Sequence, residues 1–222
     1  TQGIGEASAI ELANLGANIT LIARNESKLL NVLNDLDKSK GQTHSFVAID
    51  FRDSDKLKEE VNLLSANYHI LINNTGGPAA GPITDANTTS FEEAFRMHLI
   101  NNQILVQKVV TGMKKEKYGR IVNIISTSVK APILGLGVSN TIRAAVANWA
   151  KTLSSELGGY GITVNNILPG FTNTNRLKSL ITKKAEIQGK TEDEISSLMK
   201  QQVPAGRFGE AKEIANAVAF LC

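Results

Sequence analysis

Cysteine is nearly absent. Cys222 alone permits no internal disulfide and no cysteine-ligated metal centre, so no metal site is expected. Such usage suits a reducing, cytoplasmic setting. Long apolar runs are missing too: none approaches the roughly 18 residues that cross a bilayer, and no secretory signal opens the chain, which argues against a membrane role. Charge of one sign is never massed. Lys and Arg number 24 against 21 Asp and Glu, net +3, and no basic stripe carries interleaved aromatics, so nothing supports a nucleic-acid partner. Tyrosine is scarce, at three residues, Tyr68, Tyr118 and Tyr160.

What is present is the composition of an ordinary globular protein, 42% hydrophobic and 20% charged, with length for one substantial core spanning residues 1–222. Short Ile-, Val- and Leu-rich runs occur at Asn18–Ala23, His44–Ile49, Ile70–Asn73, Arg120–Ile125 and Thr163–Leu168. Apolar on both faces, they read as buried parallel strands. Helical patterns lie between and around them, at Gly5–Leu15, Ser27–Lys38, Ser54–Ala66, Ser90–Lys115, Ser139–Leu157 and Glu210–Leu221. This alternation predicts a Rossmann-type α/β fold, a doubly wound parallel sheet between two helical layers. Asn173–Gln202, polar and Lys-rich, interrupts it and is the segment expected to be mobile.

Chemistry concentrates at strand ends. Thr1-Gln2-Gly3-Ile4-Gly5 opens the first helix, and glycines there let the backbone turn and approach a pyrophosphate at the positive end of that helix. A plain glycine turn is the bland alternative. Arg24 ends the next strand, about 20 residues on, where an acid holds the ribose 2′-hydroxyl of NAD and an arginine suits the 2′-phosphate of NADP. NADP(H) is therefore expected over NAD(H), unless Arg24 is simply solvated. Asp50 ends another strand and can accept from an adenine amino group, and Asn73-Asn74-Thr75-Gly76-Gly77-Pro78 ends the next. The asparagines are turn residues or ligand contacts; their recurrence at strand ends favours contacts, because ligands of open α/β sheets lie across those ends.

Taken in order, T-Q-G-I-G, A-R, V-A-I-D, L-I-N-N-T-G-G-P, R-I-V-N-I-I-S, L-P-G-F-T-N-T and V-P-A-G-R-F-G-E-A-K-E-I-A resemble the short-chain dehydrogenase/reductase family, in the flavour of its 3-oxoacyl-(acyl-carrier-protein) reductases. The resemblance implies hydride transfer with a nicotinamide dinucleotide, and contacts to it from Gly3, Ile4, Gly5, Arg24, Asp50, Asn73, Asn74 and Gly76. It places Pro169, Gly170 and Thr174 near the carboxamide and closes Asn173–Gln202 over the nicotinamide. It further implies that a first and a last strand are missing from this chain and that the natural protein extends beyond both ends; an intact mass near 23.9 kDa would contradict that.

The resemblance also implies a catalytic Asn, Ser, Tyr and Lys, the last two as Y-x-x-x-K. Ser126 aligns with the serine, but His98 stands at the asparagine, Ser139 at the tyrosine and Arg143 at the lysine. No tyrosine rescues the motif, since Ile72, Val122 and Val164 follow the three tyrosines at the fourth position. A phenol near pKa 10 can be tuned by a neighbouring cation, whereas a serine is a far poorer acid and an arginine stays protonated. Arginine still offers a fork of hydrogen bonds. Ser139 and Arg143 share one helical face, either as catalytic substitutes or as helix N-cap and packing residue. His98, titrating near pH 6.5, and Lys130 are the other candidate proton donors.

Two functions follow as expectations. One is NADP(H)-dependent reduction of a ketone or acyl thioester with Ser126, Ser139 and Arg143. The other is a dinucleotide-binding sensor or scaffold that has lost catalysis. Lys178, Lys183 and Lys184 meet an acidic carrier or form a solvated helix face. The long helices Ser90–Lys115 and Ser139–Leu157 suggest a homodimer or homotetramer, with Val146 and Trp149 at the contact or in the core.

Overall fold

The computed structural model describes residues 1–222. Five strands of real length form: β1 (Thr20–Ala23), β2 (Ser45–Ala48), β3 (Ile70–Asn73), β4 (Gly119–Ile124) and β5 (Ile162–Ile167). All pair in parallel, as their two-sided apolar composition predicts. They divide into two ladders, β1–β2 and β3–β4–β5, with no strand hydrogen-bonded between them. Helices cover both: α1 (Gly3–Leu15), α2 (Glu26–Asp35), α3 (Ser54–Leu63), α4 (Thr88–Phe95), α5 (Asn101–Glu116) and α6 (Gly137–Leu157). The apolar interior joins the ladders: Leu12 of α1 packs with Val122 and Ile124 of β4, against Ile19 and Ile72.

Local chemistry sets the boundaries. Asn25 and Asp53 cap α2 and α3, their side chains accepting from Lys28 N and Lys56 N. The single long helix expected at Ser90–Lys115 is interrupted by a π-turn at Arg96–Ile100 that carries His98. Such turns interrupt the ordinary ladder and concentrate at functional sites. Just beyond it, buried Asn101 donates to the Phe51 carbonyl and accepts from Ser54 Oγ, both at 2.6 Å, which ties the helix to the end of β2. Trp149, half-buried, packs beside the core cluster of Val109, Met113 and Ile121 and donates Nε1–H to Gln103.

The mobile segment expected at Asn173–Gln202 is instead a helical hairpin, α7 (Asn175–Gln188) and α8 (Glu192–Gln201). Its apolar residues are few but correctly spaced, and Leu177, Ile181, Ala185, Ile195 and Met199 bury one another. Gly189, at φ 60°, ends α7, and Thr191 with Glu194 forms a capping box on α8. Two short strands, β6 (Thr172–Asn173) and β7 (Gly209–Glu210), close the hairpin at its base before α9 (Ala211–Leu221).

Candidate functional site

The carboxyl ends of the strands face one cleft, where the two glycines of the opening turn are packed without spare room. Gly3 sits at φ 57°, and a methyl group there would lie 3.1 Å from Thr174 Cγ2. A methyl on Gly5 would lie 2.5 Å from Asn74 Nδ2. Gly3, Gly5, Asn74 and Thr174, distant in sequence, thus meet at the start of α1, whose first N–H groups lack helical partners. Ile4 turns its side chain into the core beside Leu12, so its backbone amide is what it can offer a ligand. Thr174 caps α7 by accepting from Leu177 N, and donates its hydroxyl to the Thr172 carbonyl. The Pro169 carbonyl accepts from Thr127 N, and Gly170 comes within ordinary contact of Thr127. Arg24, exposed and hydrogen-bonded to nothing, follows β1; Asp50, with Oδ1 accepting from Arg52 N, follows β2. Gly76 is open, with space where a side chain would stand. These residues fit a dinucleotide: close glycine packing, free amides at a helix start, and an unpaired arginine just past β1.

Ser126 stands two residues past the end of β4 and accepts from Ser128 N at 3.1 Å, leaving its own O–H free to donate. Ser139 lies in the first turn of α6, which begins at Gly137 after Leu136, so it is not the N-cap. Arg143, one turn on, sends Nη1–H to the Ile124 carbonyl at 2.7 Å and Nη2–H to the Thr75 carbonyl at 3.4 Å. It bridges the ends of β3 and β4 and is no surface residue. Lys130 is exposed at the end of a short turn.

His98 borders the same narrow space as Arg143, Asn73 and Asn102, a space too tight to admit a water molecule. Its Nε2 has no hydrogen-bond partner, nor does Asn73 Oδ1. Burial, with the adjacent Arg143 charge, pushes His98 down from its ordinary value to about 3, although a backbone contact with Gly76 pulls the other way. The expected titration near pH 6.5 is therefore corrected: the imidazole is uncharged at physiological pH and is no general acid there. Desolvation, reinforced by Arg176, also lowers Arg143, to about 10, still cationic at neutral pH.

Sequence reasoning missed two features. Asn73, Asn123 and Asn166 are register partners on β3, β4 and β5 and form an amide ladder: Asn73 Nδ2 donates to Asn123 Oδ1 at 2.8 Å, and Asn123 Nδ2 to Asn166 Oδ1 at 3.0 Å. The signal was an asparagine at the same place near the end of three apolar runs. Arg176 and Lys183 of α7 were missed as contacts across the cleft: they donate to the Pro78 carbonyl at 2.6 Å and the Ala80 carbonyl at 2.9 Å. No local pattern in the sequence reveals those.

No helix is long and apolar enough to cross a membrane. Comparison with known proteins agrees with the geometry. The chain is 31% identical over 222 residues to the 3-oxoacyl-[acyl-carrier-protein] reductase of Haemophilus influenzae (strain ATCC 51907 / DSM 11121 / KW20 / Rd), covering 100% of this chain and 86% of that protein. It is 28% identical over 225 residues to the enzyme of the same name from Aquifex aeolicus (strain VF5), with the same coverage. Its fold superposes on the crystal structure of an actinorhodin polyketide ketoreductase variant with NADPH at a TM-score of 0.91, with 26% identity, covering 99% of this chain and 86% of that one. The short chain dehydrogenase family profile matches residues 1–185, so a fold with parallel strands ending at a glycine turn has its explanation: the chain belongs to the short chain dehydrogenase family of oxidoreductases.

Proposed function

We propose that this protein reduces a ketone, of the 3-oxoacyl kind, to an alcohol with NADPH. The carrying observation is the convergence of Gly3, Gly5, Asn74 and Thr174 on a cleft bordered by Ser126 and Arg143. In this reading the amides of Gly3, Ile4 and Gly5 hold the pyrophosphate, Arg24 the 2′-phosphate and Asp50 the adenine amino group. Asn73, Asn74 and Gly76 line the ribose, while Pro169, Gly170 and Thr174 meet the carboxamide. When bound, the dinucleotide supplies a hydride to the carbonyl carbon. Ser126 donates a hydrogen bond to the carbonyl oxygen, and the Arg143 cation stabilises the negative charge growing there. The proton comes from water held by Ser139, because neither serine is itself an adequate acid and His98 is neutral. The protein functions in the cytoplasm as a homodimer or homotetramer, which light scattering tests.

A second reading, a dinucleotide sensor without catalysis, is favoured by one observation: no tyrosine reaches the cleft. Tyr68 pairs with Thr20, Tyr118 donates to the Cys222 carbonyl, and Tyr160 lies under Lys114. NADPH consumption with a panel of 3-oxoacyl thioesters and ketones separates the two. The double change Ser139→Tyr with Arg143→Lys sharpens the answer: it lowers the rate of an enzyme built on serine and arginine, and raises a rate near zero in a sensor. Tight NADPH binding with no turnover of any carbonyl refutes the first reading.

A further inference from the structure

A guanidinium carries five N–H donors, and Arg143 uses two of them. One goes to the Ile124 carbonyl at 2.7 Å; the other goes to the Thr75 carbonyl at 3.4 Å, near the outer limit of a hydrogen bond. The remaining donors meet no acid, since the chain's ion pairs lie elsewhere, at His69–Glu116 and Arg207–Glu213. Two acceptors are left over nearby. His98 Nε2 and Asn73 Oδ1 are buried without partners, and both residues border the same narrow space as Arg143. That space is too tight for a water molecule, so solvent satisfies neither. A buried acceptor left unpaired costs more than an ordinary hydrogen bond gains. Backbone contacts bring the two side chains to consecutive residues: Arg143 Nη2 reaches Thr75, and the His98 ring faces the backbone of Gly76. With Nε2 unpartnered, the nitrogen turned to Gly76 is Nδ1; a proton there leaves Nε2 its lone pair. Asn73 is fixed as firmly, because its Nδ2 already donates to Asn123 and Oδ1 is the free end of the amide ladder.

We infer that His98 and Asn73 are positioning residues for Arg143: a small turn that keeps the Ile124 bond and gives up the long one to Thr75 lets the guanidinium donate to His98 Nε2 and Asn73 Oδ1. The consequence for turnover rests on the reductase reading, in which the Arg143 charge stabilises the growing oxyanion; the pairing itself does not. Histidine suits this task only while uncharged, because an imidazolium offers no acceptor and repels the cation. Arginine suits it because a planar fork reaches several acceptors at once, here on the π-turn, β3 and β4, where a lysine ammonium is a single compact charge. His98 and Arg143 are then one arrangement, a cation seated among neutral acceptors two residues before Ser126. Asn102 and Thr75 border the same space and are the rival donors to His98.

The test labels the three histidines with ¹⁵N and reads their ring nitrogens at pH 7, His98 being assigned by its loss in His98→Gln. A protonated Nδ1 and a bare Nε2 are expected on His98, with the Nε2 resonance moving in Arg143→Lys while His44 and His69 keep theirs. In urea unfolding, His98→Leu and Arg143→Met should be coupled by at least about tenfold in the equilibrium constant. His98→Gln, which keeps an acceptor, should show coupling to Arg143→Met of less than about threefold. With a reducible ketone and NADPH, His98→Leu should lose at least about tenfold in kcat with KM within about threefold, and His98→Gln should recover part of the loss. A proton on Nε2 of the parent protein overturns the inference whether or not the variants fold. So does coupling of His98→Leu to Asn102→Leu or Thr75→Val in place of Arg143→Met, and so does an unmoved kcat in His98→Leu. The expected tautomer and coupling in a protein that reduces no carbonyl support the pairing and refute the reductase reading instead.

Discussion

Adding one methyl group at Gly5 separates stability from cofactor binding in a way few other changes can. In Gly5→Ala the new Cβ would stand 2.5 Å from Asn74 Nδ2. Ordinary contact between heavy atoms is about 3.5 Å or more, so something must give by about 1 Å. Asn74 is exposed, and the clashing atom is the free end of its side chain, so the amide swings away at little cost to folding. Gly5 lies within α1 at a φ that alanine tolerates, and alanine in a helix gains about 0.5–1 kcal/mol over glycine. Net stability should then change by less than about 1 kcal/mol, a melting shift of at most about 2–4 °C for a chain of this length. Binding should suffer far more, because the methyl occupies the backbone's approach to the pyrophosphate and Asn74 is driven into the cleft. A rise in the NADPH Kd of at least about tenfold, roughly 1.4 kcal/mol, is expected in a fluorescence titration. If Gly5→Ala binds NADPH within twofold of the parent at an unchanged melting temperature, the pyrophosphate does not lie at Gly5.

Gly3→Ala should differ from Gly5→Ala by losing stability outright, by about 1–2 kcal/mol in urea unfolding, because Gly3 holds a left-handed φ of 57° that alanine resists. His98 makes the fold acid-sensitive: its pKa near 3 in the folded chain against about 6.5 unfolded means the unfolded state takes the proton first, so stability is complete above about pH 6.5 and falls below it. The loss relative to pH 8 should reach about 1.4 kcal/mol by about pH 5.5, and His98→Asn should flatten that slope in urea midpoints; an equally steep slope in the variant refutes the assignment. Asn123→Ala strands Asn73 Nδ2 and Asn166 Oδ1 at once and should cost about 2–4 kcal/mol by the same assay, whereas Thr191→Ala, at the cap of α8, should cost about 1 kcal/mol and leave NADPH binding intact.

The parallel strands and the opening helix were legible because each rule points one way: apolar on both faces for β3 and β4, glycine before α1, asparagine or aspartate before α2 and α3. The hairpin α7–α8 was not, because its mean composition is polar and only five residues make its core. Composition read Asn173–Gln202 as loose, whereas the spacing of Leu177, Ile181 and Ala185 already traced one helical face. The π-turn at His98 is invisible to any periodicity argument over Ser90–Lys115, since one inserted residue shifts the apolar stripe without ending it.

At the candidate site, residue identities were readable but their states were not, and the states decide the chemistry. His98 reads as a proton donor in the sequence and is an uncharged ring in the fold, because burial, and secondarily the Arg143 charge beside it, disfavours the imidazolium. Two of these residues, His98 and Arg143, border one narrow space in the fold. Position 139 carries no phenol, and Arg143 extends instead past the ends of β3 and β4, to the Thr75 and Ile124 carbonyls. That placement adds to the burial that keeps His98 uncharged. Arg143→Lys alone keeps a cation beside His98 and creates no proton donor at Ser139, so any activity that appears only when Ser139→Tyr is added belongs to the tyrosine.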